Sequence, residues 1–162
     1  METLHNKTLP DWTISVFPDG KFDQLRKLSF IHDTLYEEMK KLKAGPFLSE
    51  IVSHYKNLTS QERKLETLKK MFLYSAHDIT LTCILTGLGL YNNQPPPYTS
   101  MLIFNLFDQD GMKVGISYRN NTDTSPYNLT LPGCDFLCPL ERFMQITRKL
   151  WAVQWEEDCK VV

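Results

Sequence analysis

Met71-Phe72-Leu73-Tyr74-Ser75-Ala76-His77-Asp78-Ile79-Thr80 decides how this chain is read. Six apolar or small residues in a row suit a strand buried on both faces, and the run ends at a His-Asp pair. Ile79 to Leu88 then places Ile79, Leu81, Cys83, Ile84, Leu85 and Leu88 on most sides of a helix, with Gly89 as its cap, so the spacing predicts a buried helix. A strand that runs into a helix at a His-Asp pair sets an imidazole and a carboxyl group at a helix N-terminus, where amide donors and the positive dipole end favour an anion. Such a pair can contact an anionic group and protonate a leaving oxygen. The alternative for the same residues is a structural junction with Asp78 as the helix N-cap.

Working back from this stretch, Thr59 to Lys70 is polar and charge-rich and reads as a solvated connection. Before it, Phe22, Leu25, Leu28, Ile31, Leu35, Met39 and Leu42 recur every three or four residues, predicting one amphipathic helix from Lys21 onward. Gly45 and Pro46 are read as its end, with Phe47, Leu48, Ile51, Val52 and Tyr55 lining a second, shorter helix. Both are expected to pack on their own domain. A second His-Asp pair, His32-Asp33, falls inside the first helix and reads as solvated. Residues 4–20 read as irregular. Working forward, Asn92 to Pro97 is a loop. Leu102 to Phe107 and Lys113 to Arg119 are two strands joined at Asp108-Gln109-Asp110-Gly111, and Pro139 to Leu150 is a final helix. The fold class is α/β with a late antiparallel strand pair, divided into a mainly helical part (1–58) and an α/β part (70–162).

The 162 residues suffice for one domain with a core, and 42% hydrophobic with 23% charged residues argues against disorder. A net charge of −1 gives no electrostatic reason to expect nucleic acid or an anionic membrane as partner. No apolar run approaches the roughly 20 residues of a membrane-spanning helix. Met1 to Lys7 has no apolar core of a signal peptide. Against a cytosolic address stand four Asn-x-Ser/Thr sequons, at Asn6, Asn57, Asn120 and Asn128. Cys134 and Cys138 flank a short turn and can close a local disulfide; a half zinc site is the other reading, but no second Cys/His pair has suitable spacing. Cys83 lies in an apolar segment, where a buried free thiol is the default.

Tyr74-Ser75-Ala76-His77-Asp78-Ile79-Thr80 resembles the His-Asp motif of the histidine acid phosphatases, the branch holding the prostatic, lysosomal and testicular enzymes. The resemblance is collinear along nearly the whole chain. It takes in Thr3 to Trp12; Leu42-Lys43-Ala44-Gly45, in the place of a Leu-x-Gly-Gly turn; Pro97-Tyr98-Thr99-Ser100; and Tyr118-Arg119-Asn120. It continues through Leu131 to Cys134, Cys138 to Glu141 and Trp155 to Cys159. The resemblance implies a partial histidine-phosphatase-like fold and hydrolysis of phosphate monoesters through a phosphohistidine, with no cofactor. By position, Asp78 would be the proton donor to the leaving oxygen and His77 a contact to the phosphoryl group.

The family's nucleophile lies in an Arg-His-Gly-x-Arg-x-Pro motif, which is absent: His5, His32, His54 and His77 are followed by Asn, Asp, Tyr and Asp. The five arginines, Arg26, Arg63, Arg119, Arg142 and Arg148, form no such motif either. Met101 stands where the family usually has a cysteine, and Cys159 matches one normally bonded to the other half. The chain is therefore read as the C-terminal segment of such a domain, expected to be inactive without its N-terminal half. For the complete protein the resemblance implies a secreted or lysosomal location and a homodimer. Two other classes stand beside this reading. One is a non-catalytic binding module, secreted or intracellular. The other is a metal-dependent phosphohydrolase of the helical HD type, whose histidines and aspartates sit on several helices, unlike a pair that follows a strand.

Overall fold

The computed structural model describes residues 5–16, 20, 22–60, 69–152, 154, 157 and 160. Its centre is a long helix. α2 (Glu37–Thr59) buries Ala44, Leu48, Ile51, Val52 and Tyr55, the last four belonging to the stripe expected of a second, shorter helix, whose fifth member Phe47 is half-buried. Two further helices pack against it, α3 (Asp78–Gly87) and α4 (Leu140–Trp151). Phe143 of α4 is fully buried, and its ring meets Tyr55 edge-on at 6.1 Å between centroids. At the rim, Lys149 of α4 lies 2.8 Å from Glu37, which also pairs with Lys40 at 2.6 Å. Exposed pairs of this kind add little stability.

Two helix boundaries differ from the sequence reading. Gly45-Pro46 does not end a helix, and Leu42-Lys43-Ala44-Gly45 is not a turn; all four lie inside α2. An interior proline costs roughly 3 kcal/mol. Burying side chains such as Leu48, Ile51 and Val52 returns about 1.5–3 kcal/mol each, so tertiary packing outweighs the local breaker. The interruption comes earlier instead. α1 (Phe22–Ile31) ends in a one-turn 3-10 helix at His32–Thr34, and Tyr36 is extended before α2 begins. Thr34 is the buried pivot, its hydroxyl donating to the Ile31 carbonyl at 3.0 Å. His32-Asp33 occupies this outward turn, the imidazole 3.0 Å from the carboxylate. α1 itself touches α3 but buries no side chain, so its apolar stripe of Phe22, Leu25 and Leu28 is not covered by the domain as expected.

The antiparallel pair forms as read: β1 (Met101–Asp108) with β2 (Met112–Arg119), in the register Asp108↔Met112 to Met101↔Arg119. Two short strands, β3 (Tyr127–Leu129) and β4 (Cys138–Pro139), share the other edge of β2, so β2 is the central strand. Its Val114, Ile116 and Tyr118 are buried. β4 leads directly into α4, which brings Leu140 and Phe143 to the core. The architecture is thus mixed helices and antiparallel sheet, consistent with a partial histidine-phosphatase fold.

Met71 to Ala76 is not a strand. The segment has no ladder partner among the described residues, and it is not buried on both faces: Met71 and Leu73 are 78% and 81% exposed. An apolar run becomes a strand only where another strand takes up its amide and carbonyl groups. Here the sheet is built elsewhere, by β1 to β4. What the segment retains is two-residue alternation, with Phe72 and Tyr74 turned to α2 and Met71 and Leu73 turned away.

Candidate functional site

α3 begins where the apolar run stops. His77 is its N-cap residue, with extended backbone (φ −98°, ψ 162°), and Asp78 is the first helical residue. The alternative in which Asp78 is the cap is therefore shifted by one position. The His77 carbonyl accepts from the amides of Thr80 at 3.0 Å and Leu81 at 3.2 Å, closing the first turn. The Asp78 carboxylate takes the Ile79 amide on Oδ1 at 2.8 Å, which satisfies one of the otherwise unpaired donors of the helix start. Oδ2 has no hydrogen-bond partner among the described residues. Both side chains are exposed.

The remainder of α3 is an anchor. Thr82, Cys83, Ile84 and Leu85 are buried, and the helix closes on Gly89 at φ +71°. The Leu90 amide reaches the Leu85 carbonyl at 2.7 Å and the Gly89 amide that of Thr86 at 3.0 Å, a Schellman ending. A buried helix with both ends fixed thus presents an imidazole and a carboxylate to solvent at its N-terminal end.

On the approach to this end lies a group of side chains that reading the sequence did not assemble. The Tyr74 hydroxyl donates to Glu50 Oε1 at 2.8 Å and lies 2.7 Å from His54 Nε2. With its own proton directed to Glu50, the hydroxyl accepts from His54, which places a proton on Nε2. The His54 ring stacks on Phe72 at 3.6 Å, and Phe47 meets Tyr74 edge-on at 5.0 Å. Burial, then the hydrogen bond and charge of Glu50, push the Tyr74 phenol up to about 12. The only signal in the sequence is the i, i+4 spacing of Glu50 and His54 on one helix face.

Among the described residues, no side-chain hydrogen bond or ion pair joins the other residues singled out from sequence to His77 or Asp78. Cys134 and Cys138 are joined in a disulfide, with Cα atoms 5.5 Å apart, where the turn enters β4. Cys83 is a buried free thiol, raised by burial above its usual range. Asn6 and Asn57 are exposed, Asn120 is half-buried just after β2, and Asn128 sits exposed in β3 with its Oδ1 accepting from Ser117 at 3.2 Å. Cys159 lies outside the described residues. A shallow basic depression between α2 and α4, lined by Lys41, Arg148 and Lys149 among others, includes neither His77 nor Asp78. Among the described residues no group of three or more His, Cys, Asp or Glu could hold a metal ion, and no helix is long and apolar enough to cross a membrane.

Comparison with known proteins gives one consistent answer. The model of the histidine phosphatase superfamily (branch 2) matches residues 8–124, more than half of the chain. Similar proteins include prostatic acid phosphatase of Rattus norvegicus, 37% identical over 164 residues, and that of Mus musculus, 35% identical over 161 residues. Lysosomal acid phosphatase of Xenopus laevis is 34% identical over 165 residues. Each alignment takes in 98% of this chain but only 41%, 41% and 37% of the respective relative, so the chain spans about two fifths of their length. The family match runs through α1, α2, the His77-Asp78 junction and the β1–β2 hairpin, and on it the chain belongs to the histidine phosphatase superfamily, branch 2.

Proposed function

We propose that this chain supplies the leaving-group side of an acid phosphatase site, and that the attacking histidine comes from an Arg-His-Gly-x-Arg segment outside it. The substrate is a phosphate monoester. The observation that carries this reading is the His77-Asp78 pair, exposed at the N-terminal end of a buried helix, in a chain similar to acid phosphatases along its length. In the proposed reaction a histidine nitrogen attacks phosphorus and the bond from phosphorus to the ester oxygen breaks. The carboxyl proton of Asp78 passes to the departing oxygen, leaving a carboxylate. Its Oδ1 is steadied by the Ile79 amide, so Oδ2 is the oxygen that gives the proton. His77 contacts the phosphoryl oxygens. Water then cleaves the phosphohistidine, with Asp78 taking back a proton. The exposed Met71 and Leu73, on a backbone without a ladder partner among the described residues, support docking of the Arg-His-Gly-x-Arg segment here. The disulfide and the exposed sequons at Asn6, Asn57 and Asn128 favour a secreted or lysosomal address.

The test is Asp78→Asn in a protein that joins this chain to an Arg-His-Gly-bearing N-terminal part. Hydrolysis of alkyl phosphates should fall by roughly 10²–10⁴, the contribution of a positioned general acid. Aryl phosphates, whose leaving oxygens need little protonation, should lose less, whereas His77→Ala should slow both. An equal loss for all leaving groups in a folded Asp78→Asn protein would remove Asp78 from the role of proton donor.

A further inference from the structure

We infer that Glu50, His54 and Tyr74 are positioning residues for the His77-Asp78 pair, an inference that rests on the reading of that pair given above. Phe47, Glu50 and His54 project from one face of α2, at steps of three and four residues. Phe72 and Tyr74 project from one side of the segment that enters α3. The two faces meet through four contacts: Phe47 with Tyr74, His54 with Phe72, Tyr74 with Glu50 and His54 with Tyr74.

This arrangement matters because, among the described residues, no strand pairing fixes the segment. Residues 71–76 make no ladder with the described residues, and Met71 and Leu73 face solvent. A chain without backbone pairing is held by its side chains or not at all. Tyr74 is three residues before His77, so the Tyr74 ring sets where the chain enters the α3 N-cap from one side, while the buried body of α3 fixes it from the other. The hydroxyl is the hinge of the group, since it is the one atom bonded to both Glu50 and His54. Glu50 and His54 are not joined by a hydrogen bond, His54 Nε2 lying 3.6 Å from Glu50 Oε1, a distance that makes an ion pair only when the imidazole is protonated. Removing the hydroxyl therefore releases both bonds while leaving the ring packing with Phe47. Charge at Glu50 is not needed for the bond it accepts, so an amide oxygen at that position preserves it.

The experiment is backbone and histidine-ring NMR on the full 162-residue chain. In Tyr74→Phe, order parameters at residues 75–78 should fall from the rigid value of about 0.85 toward 0.6 or below, and the His77 ring signals should shift. Core signals of Leu48 and Phe143 should not move. Glu50→Ala should reproduce part of the change, and Glu50→Gln should restore it. If Tyr74→Phe does not fold, His54→Phe keeps a ring stacked on Phe72, removes the bond to the Tyr74 hydroxyl at a half-buried position and gives the same readout. Unchanged order parameters at 75–78 in folded variants overturn the inference. So does an equal effect of Glu50→Gln and Glu50→Ala. Neither result touches the role of Asp78, which the leaving-group comparison decides separately.

Discussion

Ala44 of α2 and Gly87 of α3 face each other so closely that a β-carbon on Gly87 would stand 3.0 Å from the Ala44 methyl. Ala44 is completely buried, and Leu150 of α4 closes the same point. Three helices meet there because two of them present almost no side chain. Ala44→Leu should destabilise the chain by about 1–3 kcal/mol through overpacking, read as a lower denaturant midpoint at unchanged m-value. Gly87→Ala should also lower it, although alanine is the better helix former, because the Ala44 methyl is fixed to the backbone of a buried helix and cannot yield.

The disulfide between Cys134 and Cys138 closes a loop of only a few residues. By chain entropy such a loop contributes about 2 kcal/mol. Cys134→Ala should reduce stability by about that amount, and non-reduced peptide mapping should recover Cys134 linked to Cys138. A link from either to Cys83 would contradict the arrangement described.

Tyr74 should titrate later than an ordinary tyrosine. Its neutral form is favoured first by burial and then by Glu50, which together carry it from 10 to about 12. Because the folded value is raised, the stabilising contribution is fully present below pH 10 and is lost as pH rises through about 12. The tyrosinate absorbance of the native chain minus that of Tyr74→Phe should show one phenol titrating near the upper value. Glu50→Gln should move it only part of the way back, since burial is the larger cause.

The chain by itself should not turn over p-nitrophenyl phosphate above background at acid pH. A proton donor and a phosphate contact without an attacking group leave most of the barrier in place. Turnover abolished by His77→Ala would require a nucleophile within these 162 residues.

The sequence alone determined the parts whose cause is local. The i, i+3, i+4 stripe of Leu48, Ile51, Val52 and Tyr55 specifies a buried helix face wherever that helix begins. The Asp110-Gly111 turn between alternating strands specifies the β1–β2 hairpin, and the apolar ring of Ile79 to Leu88 specifies α3. His77-Asp78 was legible as a junction for the same reason, and the family was legible from motifs in a fixed order. Tertiary structure decided what depends on a neighbour. Pro46 continues a helix because α3 and α4 need the residues on either side of it buried. Met71 to Ala76 has strand-like composition without a strand, because composition does not supply a partner and the described strands pair with one another instead. Glu50, His54 and Tyr74 come together only because that segment lies along α2, a contact across 20 to 24 positions that no periodicity encodes. Patterns of period 2 and 3.6 record which side of an element turns inward; they do not record which element it meets.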